Sequence, residues 1–145
     1  MLFRSSSAAT LPVSKECAEK MGADKNIAAF VLPLGATIHM DGTAIYQCVA
    51  TVFLATCAGV DLTLTQMIMV VAIATLSAIG TAGTPGAGVI MLTMVLTTLG
   101  IPVDYIGLII AVDRLFDMGR TTMNITGDIV GSLCVTKWEN GKLNS

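Results

Sequence analysis

Charged residues are spaced so unevenly along this chain that the gaps between them outline its elements. Between Lys25 and Asp61 the only formally charged residue is Asp41, and between Asp61 and Asp104 there is none. A bilayer-spanning helix needs about 20 mainly apolar residues, so both gaps are membrane-sized. The first has His39, Asp41, Gly42 and Thr43 near its middle, groups that are costly against lipid. Segment 26–59 is therefore predicted to be a broken transmembrane helix, 26–38 and then 44–58. The second gap holds two apolar arms, 65–79 and 89–99, on either side of GTAGTPGAG at 80–88. Pro85 and the glycines end a helix there, and each arm is short for a crossing. Segment 62–103 thus reads as a re-entrant helical hairpin, with two separate tilted crossings as the competing arrangement.

The last apolar stretch, 104–136, is long enough to span, yet it carries Asp113, Arg114, Asp117, Arg120, Asn124 and Asp128. Asp113, Asp117, Arg120, Asn124 and Asp128 follow steps of four, three, four and four, which is one stripe of an α-helix. Each charge near the membrane centre costs about 2.5–3.5 kcal/mol on an insertion scale, so the stripe must face protein, water or ligand. Before the first crossing, 12–21 is predicted to be a short helix with Thr10 as cap, Pro12 in its first turn and Gly22 closing it. Its Lys15/Glu19 and Glu16/Lys20 spacings give it a wet face. Arg4, Lys15, Lys20 and Lys25 precede the first crossing, and Lys137 and Lys142 follow the last. Both ends, including the tail 137–145, are therefore expected on the cytoplasmic side, with the hairpin entering from outside.

Composition agrees with lipid as the main solvent: 54% hydrophobic residues and 12% charged. A soluble helical protein is disfavoured because 62–103 has no charge to keep a surface wet. Small residues suit closely packed membrane helices. The net charge of −2 and the lack of a Lys/Arg cluster exclude nucleic acid as a partner. Cys17, Cys48, Cys57 and Cys134 have no CxxC spacing and read as reduced thiols, those at 48 and 57 filling space in apolar stretches. The Ser-rich start does not read as a secretory signal. With one histidine and no Ser/His/Asp or Cys/His set, the chemistry expected is binding, not catalysis.

Interrupted helices beside a charged one suit secondary transport, where unwound carbonyls meet cations and half-helix N-termini face anions. Arg120 offers a planar fork for a carboxylate, and Asp117, one turn away, an opposite charge for an ammonium. Together they would read an acidic amino acid; a pair that only neutralises itself inside a bundle is the alternative.

Five segments, RSSSAATLP at 4–12, LPLGATIHMDGTAIYQ at 32–47, AIGTAGTPGAG at 78–88, GIPVD at 100–104 and DRLFDMGRTTMNITGD at 113–128, resemble in order those of the glutamate transporter family, the dicarboxylate/amino acid:cation symporters. The resemblance implies an all-α membrane fold: the end of a first re-entrant hairpin and a cytoplasmic connection (1–25), the broken helix, a second hairpin and a final transmembrane helix. It implies a multi-pass plasma-membrane protein carrying out sodium-coupled symport of glutamate or aspartate by an elevator-like displacement. The complete protein would be a homotrimer, with six preceding scaffold helices that this chain is expected to lack. A truncated, non-transporting subunit that assembles with full-length relatives is the rival.

The same resemblance assigns residues. Ser6 and Ser7, with the tip backbone at Gly83, Thr84, Pro85 and Gly86, would bind substrate carboxylate, and Thr43 and Thr121 would touch the substrate. Asp117 would hold its amino group, Arg120 its side-chain carboxylate and Asn124 its α-carboxylate; relatives selecting neutral amino acids lack the arginine. Beyond coupling sodium ions no cofactor is implied. One sodium falls to Asp128, Asn124 and the carbonyls of Gly35 and His39, a second to carbonyls near Thr37 and at Ala78, Ile79 and Thr81, and a third involves Asp41, all hard oxygen ligands. A solvated charge near the helix end is the alternative for Asp128. The family reads NMDGT where this chain has HMDGT, so weaker sodium coupling or partial proton coupling is expected, unless His39 only bonds loose backbone at the helix break.

Overall fold

A computed structural model describes residues 7–79 and 86–143. Among the described residues it is entirely helical: α1 (Ser7–Lys20), α2 (Lys25–Ile38), α3 (Asp41–Cys57), α4 (Leu64–Ala78), α5 (Ala87–Thr98), a 3-10 turn (Val103–Tyr105), α6 (Ile106–Ile110) and α7 (Asp113–Leu143).

Local chemistry sets most of these boundaries. Thr10 does not cap α1 but lies inside it, because the helix begins upstream and the Thr10 hydroxyl donates to the Ser7 carbonyl at 3.0 Å. Pro12 removes one ladder bond without ending the helix. Three helices end in the same way: Gly22, Gly59 and Gly100 take positive φ, and the next residue donates back to Ala18, Ala55 and Leu96 respectively at 2.9–3.0 Å. This is the Schellman closure, which favours glycine at that left-handed residue. Asp24 caps α2 by accepting from the backbone of Asn26 and Ile27, and Thr63 with Gln66 forms a capping box on α4. On α1, Glu16 and Lys20 close an exposed pair at 2.7 Å, in which the ammonium holds the Glu16 carboxyl below its ordinary pKa.

The helix interruption is tighter than the sequence pattern predicts. Only His39 and Met40 leave helical geometry, because the Met40 carbonyl already accepts from Thr43 and Ala44, so Asp41, Gly42 and Thr43 form the first turn of α3. Together α2 and α3, Lys25–Cys57, form the one helical stretch among the described residues long and apolar enough to cross a membrane. At about 1.5 Å per residue, α4 and α5 are about 22 and 18 Å long, short of the roughly 30 Å hydrocarbon core. The final helix is not continuous from 104: an i→i−3 bond from Val112 to Ile109 overwinds the chain before α7 starts. α7 then runs through the expected tail to Leu143, and at about 47 Å it exceeds the hydrocarbon thickness, leaving its polar end outside.

Packing is inverted relative to a water-soluble bundle. The buried residues of α1 are Ser7, Thr10, Ser14 and Ala18, whereas Phe30, Leu76 and Ile90 are among the most exposed side chains. On α1 small and hydroxyl-bearing residues face the other helices, and elsewhere many large apolar ones face outward, as suits a lipid surround. α7 packs on α1, α2 and α3, and α3 packs also on α4 and α5. One core joins Tyr46, Leu54, Leu92, Leu96, Ile101 and Ile109, and a smaller one joins Ala18, Ala23, Ala28 and Leu32. Ser77 donates to Gln47 at 2.9 Å across the α3–α4 seam. All four cysteines are free, and Cys57 and Cys134 face outward, so Cys57 does not fill interior space.

Candidate functional site

Every member of the polar stripe on α7 points inward. Asp113, Asp117, Arg120, Asn124 and Asp128 are buried, Arg120 with 5% and Asn124 with 2% of its surface exposed, and Ser132 and Thr136 continue the stripe. On the opposite face Leu115, Phe116, Met123 and Val130 are exposed. Helical periodicity alone therefore separates a polar seam from a lipid-facing one.

Arg120 is the centre of the seam. Its Nη2 donates to Asp117 Oδ1 at 2.7 Å and to Asp113 Oδ1 at 3.3 Å. Its Cζ lies 4.1 Å from the centre of the Tyr46 ring, a cation–π contact, and the Tyr46 hydroxyl donates to Asp113 Oδ1 at 3.2 Å. Among the described residues, Arg120 Nε and Nη1 and Asp117 Oδ2 are buried without a hydrogen-bond partner. Unpartnered buried charge is costly, and here two donors and one acceptor of that kind sit on neighbouring turns. A self-neutralising pair accounts for Nη2 and Oδ1 but not for these three atoms.

Glycines bring the surrounding backbones into contact with this seam. A Cβ on Gly88, in the first turn of α5, would collide with the Arg120 guanidinium. A Cβ on Gly42 would stand 2.8 Å from the Arg120 carbonyl oxygen, so α3 starts directly against α7. There the Gly42 backbone donates to Asn124 Oδ1 at 2.9 Å, while Asn124 Nδ2 reaches Met40 Sδ at 3.1 Å and Thr43 Oγ1 at 3.4 Å. Gly42→Ala should cost about 1–3 kcal/mol, because the opposing atoms are backbone and cannot swing aside. A lowered thermal midpoint of the complete protein in detergent would register the loss.

A second cluster lies at the helix break. His39 Nδ1 contacts Asp128 Oδ1 and His39 Nε2 contacts Asp41 Oδ2, each at 2.9 Å. Gly35 and Gly127 make the room: a Cβ on the first would strike the Asp128 carboxylate and one on the second the His39 ring. Asp128 is buried and held, not solvated. The His39 side chain bonds carboxylates; only its backbone N–H caps α2, at Gly35 O. A buried carboxylate at the C-terminal end of α2, where a helix runs out of intrahelical amides for its last carbonyls, is an oxygen set fitting a small hard cation, whereas the imidazole nitrogen is a poor ligand for one.

The remaining expected site residues are scattered. Thr43 lies in the seam. Ser7 is buried on α1, which packs on α2 and α7. Thr121 is buried, yet it lines a different cavity of about 390 Å³ with Cys17 and Ile125. Thr37 is exposed, its hydroxyl bonded to Leu34 O at 2.7 Å; Ala78 is buried, Ile79 is exposed, and Gly86 has left-handed φ at the start of α5. Ser6, Thr81, Gly83, Thr84 and Pro85 lie outside the described residues. Sequence spacing does not single out Tyr46, Met40 or Gly127, and it marks Gly42 and Gly88 only as parts of helix interruptions, although Tyr46 shares a helix face with Thr43 three residues before it.

Helices interrupted at the seam, with charge turned inward and apolar surface outward, define an integral membrane protein with a polar interior. Residues 2–138 match the model of the sodium:dicarboxylate symporter family, and the chain belongs to that family. It is 48% identical to excitatory amino acid transporter 3 of Mus musculus over 143 residues, 98% of this chain and 27% of that protein. It is 44% identical to an excitatory amino acid transporter of Caenorhabditis elegans over 145 residues, 99% of this chain and 29% of that one. With excitatory amino acid transporter 1 of Rattus norvegicus it shares 50% over 132 residues, 90% of this chain and 24% of that one. The chain thus spans less than a third of the length of these relatives.

Proposed function

We propose that this chain is the substrate- and cation-binding part of a sodium-coupled symporter of acidic amino acids, glutamate or aspartate, acting within a complete homotrimeric plasma-membrane assembly. The observation that carries this reading is the set of buried polar atoms without a hydrogen-bond partner among the described residues on neighbouring turns of α7, Nε and Nη1 of Arg120 and Oδ2 of Asp117. The first two suit a carboxylate and the third an ammonium. Asn124 and Thr43 flank them, and α5, as one arm of a re-entrant hairpin, covers the guanidinium through Gly88. Charge accounts for the coupling. Asp113, Asp117 and Asp128 outnumber Arg120, and an acidic amino acid adds one more negative charge to a buried space. Sodium held by Asp128 and the carbonyls of the helix break would supply the compensating positive charge.

The test is radiolabelled uptake by a complete transporter in which this chain replaces the matching part of a relative. Sodium-dependent uptake of glutamate or aspartate, poorly displaced by neutral amino acids, is expected. Uptake indifferent to sodium, or equal for neutral amino acids, would overturn the reading. In the same protein His39→Asn should lower the sodium concentration for half-maximal uptake about tenfold, because it frees Asp128 from a charge-assisted bond worth about 1.5–3 kcal/mol. Sodium and pH dependence unaltered by His39→Asn would remove His39 from coupling.

A further inference from the structure

We infer that Asp113, anchored by Tyr46, is a positioning residue that holds the shared nitrogen of Arg120 until the side-chain carboxylate of the transported amino acid displaces it; this rests on the acidic-substrate reading above. A guanidinium can grip a carboxylate with two parallel bonds along either of two edges, Nη1/Nη2 or Nε/Nη2. Both edges need Nη2. In this structure the two hydrogens of Nη2 serve Asp117 Oδ1 at 2.7 Å and Asp113 Oδ1 at 3.3 Å, while Nε and Nη1 have no partner among the described residues. The guanidinium is thus open on both edges and complete on neither, and an incoming carboxylate gains a two-bond grip only if an aspartate lets go.

Asp113 is the one placed to do so. Its bond to Arg120 is the longer, and the same Oδ1 already receives the Tyr46 hydroxyl at 3.2 Å, so releasing Arg120 leaves Asp113 hydrogen-bonded. The Tyr46 ring, 4.1 Å from Cζ, keeps the guanidinium plane in place during the exchange without using an N–H. A neutral amino acid brings no second carboxylate and leaves the Asp113–Arg120 contact intact. Asp113 therefore sets a threshold that favours a solute carrying its own anion.

Two substitutions with opposite signs test this in the complete transporter carrying this chain. Asp113→Asn keeps a group for Tyr46 to bond but removes the competing charge, so KM for glutamate or aspartate should fall about tenfold, equivalent to about 1.4 kcal/mol. Tyr46→Phe leaves Oδ1 wholly to Arg120, so the same KM should rise about threefold. A merely structural role would change the maximal rate or the amount of protein at the surface and leave KM alone. An unchanged or raised KM in Asp113→Asn protein at the surface overturns the inference. Should that variant not reach the surface, the nearly isosteric Tyr46→Phe decides: a raised KM supports the inference, and an unchanged or lowered one overturns it. Failure of the unsubstituted transporter to take up acidic amino acids would instead sink the substrate reading.

Discussion

Arg120→Ala should reduce acidic amino acid uptake by a complete transporter by about 30- to 4,000-fold, since truncating one partner of a buried, hydrogen-bonded charge pair costs about 2–5 kcal/mol and each 1.4 kcal/mol is tenfold. No other cation among the described residues lies in the polar seam, and the guanidinium is covered by Gly88 and stacked on Tyr46. The substitution also leaves Asp113 and Asp117 without their counter-charge, which destabilises a protein in its own right. Arg120→Lys separates the two effects. It keeps a positive charge between the aspartates but loses the planar fork, so surface levels should recover while acidic uptake stays low. Undiminished uptake by the alanine variant, measured with labelled glutamate and normalised to surface protein, would take Arg120 out of the substrate site.

Asp128→Asn should raise the sodium concentration needed for half-maximal uptake by about 10- to 100-fold. The carboxamide has nearly the shape of the carboxylate, so it still fits against Gly35 and can still bond His39. Only the charge is lost, and a hard cation replaces its water with charged or carbonyl oxygen. A sodium titration at fixed substrate, with choline as replacement ion, reads the shift directly. An unshifted titration would place the coupling ion elsewhere.

The two substitutions probe features of different legibility. The inward turn of Asp117, Arg120, Asn124 and Asp128 could be read from one dimension, because the period of a helix and the cost of charge in lipid leave a striped helix only one orientation. The limits of the helix break could not. Asp41, Gly42 and Thr43 look like breakers by composition, yet Met40 supplies the carbonyl that starts α3, and hydrogen bonds outrank propensity there. Thr10 failed as a cap for a related reason, since Pro12 is tolerated inside α1.

What this sequence by itself determined is the apolar helical elements and the inward-facing stripe of charge on the last of them, both of which follow from spacing and solvation. What only the tertiary structure decided is which groups meet. Gly88 against Arg120, Gly42 against the α7 backbone, Tyr46 with Asp113, and His39 between Asp41 and Asp128 are contacts between separate helices or across the break. Their geometry depends on interaxial distance and on the register of one helix along another, and helical spacing along the chain carries neither.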